Sequence, residues 1–351
     1  MKILINALSG IGDALMFSPA LKVLRKKFPD ARIDMLAMFQ SVKQMYRFHP
    51  DLKEIYFIDF LHQSKIKSLK EIYSIRRNRY DIIINTYPAN RAEYNILSFL
   101  LGGKRRIATK YLKTSVTRLD FLNTDLSDEK PDIHNVVQNI NTLRLICDVR
   151  DEEIGSMEIY LPEEIKKSSS EWIEKINPEK RTIIGIHAGS SVLKNHIHKR
   201  WDKNKYVELC KRLINEKNAL ILLFGNETEL NEEIKKSTGA NAILASTGDY
   251  MDSLGRLSHC RLFVSNDTAF LHSSAALGIP VAGIFGYTNY RELYPWGTTH
   301  KIIRKELECS PCFFNSPKPA SCKFEGEDEF KCIKTITVDE VFKACEELLS
   351  T

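Results

Sequence analysis

The stretch Cys260–Pro280, CRLFVSNDTAFLHSSAALGIP, indicates a strand, a polar turn and a helix in succession. The apolar run ends at Ser265, the turn covers residues 266–268, and the helix ends at Gly278 just before a proline. The first turn of a helix has N–H groups without intrahelical partners, and a hydroxyl stands beside them here. Such a helix start binds anions, so we expect it to hold the phosphates of a ligand.

A second stretch, Ala7–Pro19 (ALSGIGDALMFSP), follows the apolar run KILINA and indicates a strand, a glycine turn and a helix. A dinucleotide fingerprint would need a third glycine after Gly10 and Gly12 and an acid at the end of the second strand. The sequence provides neither, which disfavours a nicotinamide enzyme. Asp13 ends the turn instead, either as a cap on the helix or as a general base.

Strand and helix patterns alternate along the chain in two series. The strand-like stretches are KILINAL, RIDMLAM, IYFIDF and YDIIINT in the first, and RTIIGIHA, NALILLFG, AILAS, RLFVSN and PVAGIFG in the second. This alternation predicts an α/β fold of two doubly wound domains facing one another across a cleft, where ligands bind by default. We place an N-terminal domain at residues 1–162, a linker at 163–181, a second domain at 182–334 and a C-terminal helix at 335–351.

The composition is that of a globular chain, with 43% apolar and 27% charged residues. No run of 18 apolar residues is present, and the N-terminal apolar run is too short and too polar for a signal peptide. We therefore expect a cytoplasmic protein that is not transmembrane.

The positive charge is concentrated in the first half of the chain. Residues 1–160 carry 25 Lys and Arg against 19 Asp and Glu, which accounts for the whole net charge of +6. The densest patch, GGKRRIATKYLKTSVTR, includes Lys104, Arg105 and Arg106. It is either a solvated surface or a face that meets an anionic partner such as a phosphorylated glycan or an acidic lipid surface. Tyr111 alone gives too little stacking surface for nucleic acid, so we expect no nucleic-acid partner.

Two further loops carry polar side chains after predicted strands. After RTIIGIHA, a loop with Ser190 and Ser191 leads to Lys199 at the start of a helix, where an ammonium could neutralise a departing diphosphate. After the strand that ends at Gly225, Glu229 is placed to hold ribose hydroxyls. Taken alone, Lys199 could equally be a surface charge, and Glu229 is a weak signal.

In this order, IGD near the start, HAGSS…KRWD, FGxxxE and SNDTAFLHSSAALGIPVAGIFG resemble glycosyltransferase family 9, the bacterial heptosyltransferases of lipopolysaccharide assembly. The resemblance extends from Met1 to about Gly297. It implies a GT-B fold with an acceptor-binding N-terminal domain and a C-terminal domain that binds a nucleotide-diphosphate sugar, usually ADP-heptose. It also implies inverting transfer, without a catalytic metal, to a lipopolysaccharide core or another surface glycan. That acceptor would be an anionic glycan or glycolipid at the inner face of the cytoplasmic membrane.

By position, the resemblance implies roles for residues in both domains. Asp13 matches the base that takes the proton of the acceptor hydroxyl, with Gly10 and Gly12 beside it on the acceptor side. The donor-side matches are the diphosphate contacts Ser190, Ser191 and Lys199, the ribose contact Glu229, and the donor-site loop residues Asp267, Thr268 and His272. Ala269 stands where the family commonly has glycine, which leaves donor identity or affinity open.

Four of the eight cysteines, Cys309, Cys312, Cys322 and Cys332, have the spacing C-x2-C-x9-C-x9-C. Four thiolates suit a structural zinc or iron ion, which a reducing cytoplasm favours over disulfides. The nine-residue spacings are not those of a standard finger, so free buried thiols are the alternative. A branch of the same family that glycosylates autotransporter adhesins also has a four-cysteine metal finger, with longer spacing.

Two other functions therefore remain open. One is heptose transfer to serine hydroxyls of a protein, as in that branch. The other is a non-catalytic protein that binds a nucleotide sugar. The presence of both Asp13 and Lys199 argues against a pure binder, because a binder needs no base opposite its donor.

Overall fold

The computed structural model describes residues 1–112, 118–313 and 319–351. The chain divides into two compact units, Met1–Tyr160 and Leu161–Thr351. Within the described residues, each unit contains one parallel six-stranded sheet whose strands are connected by helices.

The first unit is built on a sheet with the strands β1 Lys2–Ala7, β2 Arg32–Ala37, β3 Glu54–Phe57, β4 Ile82–Asn85, β5 Arg105–Lys110 and β6 Asp125–Asp128. Its helices are α1 Ile11–Leu15, α2 Ser18–Lys27, α3 Gln40–Tyr46, α4 Lys65–Arg76, α5 Ala92–Leu101 and α6 Asn135–Leu143. The strand order is β3-β2-β1-β4-β5-β6. The order reverses direction between β1 and β4, so the loops after these two strands lie at the topological switch point of the sheet.

The second unit repeats this plan with the strands β7 Thr182–His187, β8 Ala219–Leu223, β9 Ala242–Leu244, β10 Leu262–Asn266, β11 Val281–Ile284 and β12 His300–Ile303. Its helices are α7 Glu163–Ile176, α8 Lys203–Lys217, α9 Thr228–Thr238, α10 Tyr250–Leu257, α11 Ala269–Ala276, α12 Tyr290–Leu293, α13 Lys331–Lys334 and α14 Val338–Leu349. The strand order is β12-β11-β10-β7-β8-β9, with the switch point between β10 and β7.

The interior strands form because most of their residues are apolar on both faces. Every residue of β8 (ALILL) and β10 (LFVSN) is buried, as expected for parallel strands covered on both sides. Helix α14 adds an amphipathic face to the same core through Val341, Phe342 and Cys345. The predicted α/β class with two doubly wound domains is therefore confirmed.

Three strands and one helix boundary differ from the sequence interpretation. The strands β5, β6 and β12 escaped prediction because they are charged or short. The stretch ALMFSPALKVLRKKF was expected to be one helix, but α1 ends at Leu15 and α2 begins at Ser18. Pro19 explains the break, since it lacks an N–H group and its ring would clash with the carbonyl group one turn earlier.

Residues 163–181, where the sequence predicts a linker, lie in the second unit and are mostly the helix α7. This helix packs on α10, where the guanidinium of Arg256 lies 4.1 Å from the ring centroid of Trp172.

None of the helices formed by the described residues combines the length and the apolar character needed to cross a membrane.

Candidate active site

Asn266, the last residue of β10, holds together the loops at the carboxyl edge of the second sheet. Its Nδ2 donates to the carbonyl oxygens of Ala188 and Gly189, both at 3.0 Å. Its Oδ1 accepts from the N–H of Trp201 and from the hydroxyl of Tyr206, also at 3.0 Å. The side chain is fully buried, and its amide thereby fixes the loop after β7 against the start of α8.

The motif KRWD places two cations at this edge. The indole ring of Trp201 is buried and donates through Nε1 to the carbonyl oxygen of Ile336 at 3.0 Å. Asp202 caps α8 by accepting from the N–H groups of Asn204 and Lys205. With these two residues fixed, the preceding Lys199 and Arg200 are held beside the ends of β7 and β10.

Lys199 forms a buried ion pair with Asp267. The Nζ of Lys199 lies 2.6 Å from Oδ2 of Asp267, and both side chains are largely shielded from water. Burial pushes the pKa of Asp267 upward, but Lys199, His272 and Thr288 together outweigh it, so this pKa lies below its usual range. An ammonium has three N–H donors, so Lys199 can contact Asp267 and still bind an anion.

His272, in α11, lies against the same carboxylate. Its Nε2 is 3.9 Å from Oδ1 of Asp267, and burial lowers the pKa of this histidine to about 4. The ring is therefore neutral at pH 7. Its Nδ1 is buried and has no hydrogen-bond partner in the described chain.

Thr268 stands at the N-terminus of α11 without capping it. Its hydroxyl lies 2.9 Å from Nδ1 of His187 and 3.1 Å from the hydroxyl of Ser265. Because no side chain caps this helix, the N–H groups of its first turn remain available to an anion. The structure thus brings Lys199, Asp267, Thr268 and His272 together, as the sequence predicts.

The two serines of the loop after β7 have different environments. Ser190 is buried, and Arg200 binds both its hydroxyl and its carbonyl oxygen, at 3.2 and 2.8 Å. Ser191 is exposed and accepts from the N–H of Leu193. Ser190 therefore positions Arg200, whereas Ser191 faces solvent.

Glu227, His187 and Arg200 belong to this edge but were missed in the sequence interpretation. Glu227 lies 3.3 Å from Nε2 of His187 and 3.6 Å from the guanidinium of Arg200. Burial would raise the pKa of Glu227, but His187, a backbone hydrogen bond and the charge of Arg200 together leave it below its usual range. The predicted ribose contact, Glu229, is exposed in the first turn of α9. The motif has an acid at both position 227 and position 229, and the spacing alone could not show which of the two belongs to the site.

In the first unit, Asp13 lies in the first turn of the short helix α1, after a turn at Gly10. Gly10 has φ −65°, which any residue adopts, and a Cβ at this position would meet no described atom within 4 Å. The turn is therefore open above Gly10. The charge of Asp13 adds to the burial that raises the pKa values of Tyr94 and Tyr111, so it lies near both rings.

The basic triplet Lys104, Arg105 and Arg106 lies far from Asp13 along the strands. Arg105 is in register with Ile82, the first residue of β4, whereas Asp13 follows the last residue of β1. The three residues are also engaged: Lys104 pairs with Asp81, Arg105 with Asp125, and Arg106 donates to backbone carbonyl oxygens. The structure therefore separates this triplet from the turn at Asp13, and contact of the triplet with an anionic acceptor stays a prediction. Lys113, in the same basic stretch, lies outside the described residues.

The sequence profile of glycosyltransferase family 9 (heptosyltransferase) matches residues 69–321. The chain belongs to glycosyltransferase family 9. This confirms the resemblance carried by the motifs. Among curated relatives, lipooligosaccharide heptosyltransferase 2 of Campylobacter jejuni is 23% identical over 99% of this chain and 98% of its own length.

Solved structures show the same fold. The ADP-heptose lps heptosyltransferase II of Escherichia coli superposes with a TM-score of 0.75 and 19% identity, over 100% of this chain and 99% of that one. The predicted GT-B fold is thereby confirmed. A more distant structure, the iron-containing dodecameric glycosyltransferase TibC of enterotoxigenic E. coli, has a TM-score of 0.59 and 12% identity over 100% of this chain and 78% of TibC.

The four cysteines of the predicted metal cluster lie in one region of this family member. Burial raises the pKa of Cys332 to about 11, and the neighbouring thiols of Cys312, Cys309 and Cys322 raise it as well. Four thiols are a donor set that suits zinc or iron. Nevertheless, the described part of the chain contains no group of three His, Cys, Asp or Glu side chains arranged to hold a metal ion.

The cysteine-rich segment also supports the loop between Ser190 and Lys199. The N–H of Ala320 donates to the carbonyl oxygen of Lys194 at 2.9 Å, and Asn195 Nδ2 donates back to the carbonyl oxygen of Ala320 at 3.0 Å. His198 stacks on Phe330 with ring centroids 4.1 Å apart. The position of this loop therefore depends on the cysteine-rich segment.

Replacing Asn266 with alanine is expected to lower the free energy of unfolding by about 3 kcal/mol or more, because four buried backbone and hydroxyl groups lose a partner. Asn231→Ala is the matched control, since that buried amide donates only to Phe224 and Gly225, two carbonyl oxygens of one loop. Urea unfolding of both variants measures the difference. Equal losses would show that Asn266 does not join the loops.

Proposed function

We propose that the protein transfers a heptose, or a related sugar, from an ADP-heptose-like donor to a hydroxyl of a lipopolysaccharide-core acceptor. The observation that carries this proposal is the Lys199–Asp267 pair beside the uncapped N-terminus of α11. A lysine with spare donors and free helix N–H groups suit a diphosphate. Membership of family 9 and the similarity to lipooligosaccharide and lipopolysaccharide heptosyltransferases support the sugar and the acceptor.

In this proposal the second unit binds the donor. Lys199 and the first turn of α11 contact the diphosphate, Ser191 adds a hydroxyl, and Glu229 holds the ribose from its exposed position. Asp267 holds the ammonium of Lys199 in position, and His272 lies against the Asp267 carboxylate. Because Asp267 keeps the ammonium fixed, its charge is already in place when negative charge develops on the departing diphosphate.

The first unit binds the acceptor near Asp13. The Asp13 carboxylate takes the proton of the acceptor hydroxyl as that oxygen attacks the anomeric carbon. The bond between this carbon and the diphosphate oxygen breaks, the configuration inverts, and ADP leaves. Arg118, whose guanidinium lies 4.8 Å from the ring centroid of Tyr111, is a cation of this edge that could meet an anionic acceptor.

Asp13→Asn is expected to lower kcat by about 10²–10⁴-fold, the range for loss of a general base, while leaving ADP affinity unchanged. The assay follows ADP release with ADP-heptose and a lipopolysaccharide-core acceptor. Asp30→Asn, which removes an exposed carboxylate of the same unit, is the matched control.

Normal turnover in Asp13→Asn would reduce Asp13 to a helix cap. Binding of ADP-heptose by the wild type without any product would favour a non-catalytic binding protein. Transfer to a serine-containing protein, and not to the glycan, would favour the autotransporter-type acceptor.

We further propose a structural zinc or iron ion at Cys309, Cys312, Cys322 and Cys332 that takes no part in sugar transfer. The donor set of four thiols, the effect of the other three on the pKa of Cys332, and the contacts of their segment with residues 194–198 support it. Bound there, a metal would fix the segment that supports the loop to Lys199.

Metal analysis of protein purified without chelator is expected to give about one zinc or iron per chain, as for a four-thiolate site. The double variant Cys312→Ser/Cys322→Ser is expected to lose the metal, whereas Cys147→Ser, in the first unit, retains it. Wild-type protein that contains neither metal would refute the site.

A further inference from the structure

Helix α4 of the first unit has apolar residues on two opposite faces. Ser68, Ile72 and Ile75 form its buried face. Ile66, Leu69 and Tyr73 point away from the core, with 69%, 54% and 66% of their surfaces exposed. Their spacing of three and four residues puts these three side chains in one stripe along the outer side of the helix.

Basic residues flank this stripe on both sides. At 100° per residue, Lys65 and Arg76 lie along one side of the stripe, and Lys70 and Arg77 along the other. Residues 65–79 contain six Lys and Arg against a single acid, and that acid is occupied by the side-chain amide of Gln63. No ion pair of the described residues involves the side chains of Lys65, Lys70 or Arg77.

Helix α5 extends the apolar surface. Its outward residues Ile96 and Phe99 are also exposed. The two helices lie side by side, since Nη1 of Arg76 donates to the carbonyl oxygen of Leu100 at 2.7 Å. We call the surface formed by Ile66, Leu69, Tyr73, Ile96, Phe99 and the flanking bases the α4–α5 face.

The α4–α5 face reaches the edge of the sheet that carries Asp13. Helix α4 leaves the carboxyl end of β3 and returns to the amino end of β4, so its first turn lies at the carboxyl edge. Leu61, in the loop that precedes this turn, is exposed as well. Asp13 follows β1 at the same edge. A ligand held along the α4–α5 face would therefore lie near the carboxyl edge of the sheet, where the acceptor is proposed to bind.

We propose that the α4–α5 face docks the protein on an anionic lipid bilayer. An outward apolar stripe between two rows of cations is the pattern of a helix that lies in a membrane interface, with apolar side chains among the acyl chains and cations at the headgroups. The docking proposal rests on the proposed function, because a lipid-linked acceptor would be held at the same bilayer.

A second copy of the chain fits this surface less well. A symmetric dimer would place the same patch of both subunits together. Six bases against one acid would then face six bases against one acid, which repels. Charge therefore favours an anionic partner over self-association.

The test is sedimentation of the full chain with vesicles of phosphatidylcholine alone or with 30% phosphatidylglycerol, at about 0.1 M salt. Wild type is expected to bind the anionic vesicles and to bind the neutral ones weakly. Lys70→Glu/Arg77→Glu is expected to weaken binding about tenfold or more, since each cation near such a surface adds attraction. Ile66→Ser/Leu69→Ser is expected to weaken it on both vesicles.

Lys211→Glu/Lys236→Glu is the matched control, because it makes the same change in net charge at exposed lysines of the second unit. Calorimetric ADP binding checks that each variant is folded. Equal vesicle binding by wild type and Lys70→Glu/Arg77→Glu would overturn the proposal. So would equal loss in the control, or a dimer in solution that Ile66→Ser/Leu69→Ser dissociates.

Turnover with a soluble, deacylated acceptor separates this inference from the proposed function. Normal turnover without vesicle binding would refute the docking face and leave the enzyme assignment intact. Vesicle binding that depends on Lys70 and Arg77, without turnover, would support the face and contradict the assignment.

Discussion

The arrangement of the candidate site depends on the side-chain amide of Asn266. A fully buried amide has two donors and two acceptor positions, and here all four are used. The contacts join the loop after β7, the start of α8 and the end of β10, three segments distant in the chain. Each group that Asn266 contacts would be costly to leave unpaired, so the three loops are fixed together.

Because Asn266 fixes these loops, the buried ion pair of Lys199 and Asp267 has a defined position. Removing Lys199 and Asp267 from water costs free energy that their attraction does not reliably repay, so the pair is weak support for stability. Its value lies in position: Asp267 is also held by Thr288 and stays charged, and it keeps the ammonium of Lys199 beside the uncapped α11. On the proposed function, charge is thus organised for the diphosphate before the sugar leaves.

The two units use the same sheet plan for different purposes. In each, the loops at the switch point between the two halves of the sheet carry the polar residues. In the second unit these loops provide helix N–H groups and cations, which suit phosphates. In the first, a carboxylate occupies the helix start, which would repel a phosphate and suits a proton acceptor instead.

Much of this could be predicted from the sequence, because buried strands and helix starts have local signals. The strands RTIIGIHA and RLFVSN and the cluster of Asp267, Thr268 and Lys199 were predicted in this way. Contacts between residues distant in the sequence could not be predicted. From the sequence, Arg105 is expected to be a free surface cation, whereas in the structure it pairs with Asp125. Glu227 could not be preferred to Glu229 for the same reason, since its role depends on His187, forty residues earlier.

The most direct test of the central claim is calorimetric titration of the protein with ADP, GDP and UDP, alongside Asp267→Ala. The account predicts that ADP binds most tightly and that the variant loses this affinity, because Lys199 is then no longer held in place. Preference for another nucleotide would contradict the ADP-heptose assignment. Unchanged ADP affinity in Asp267→Ala would contradict the placement of the diphosphate beside α11.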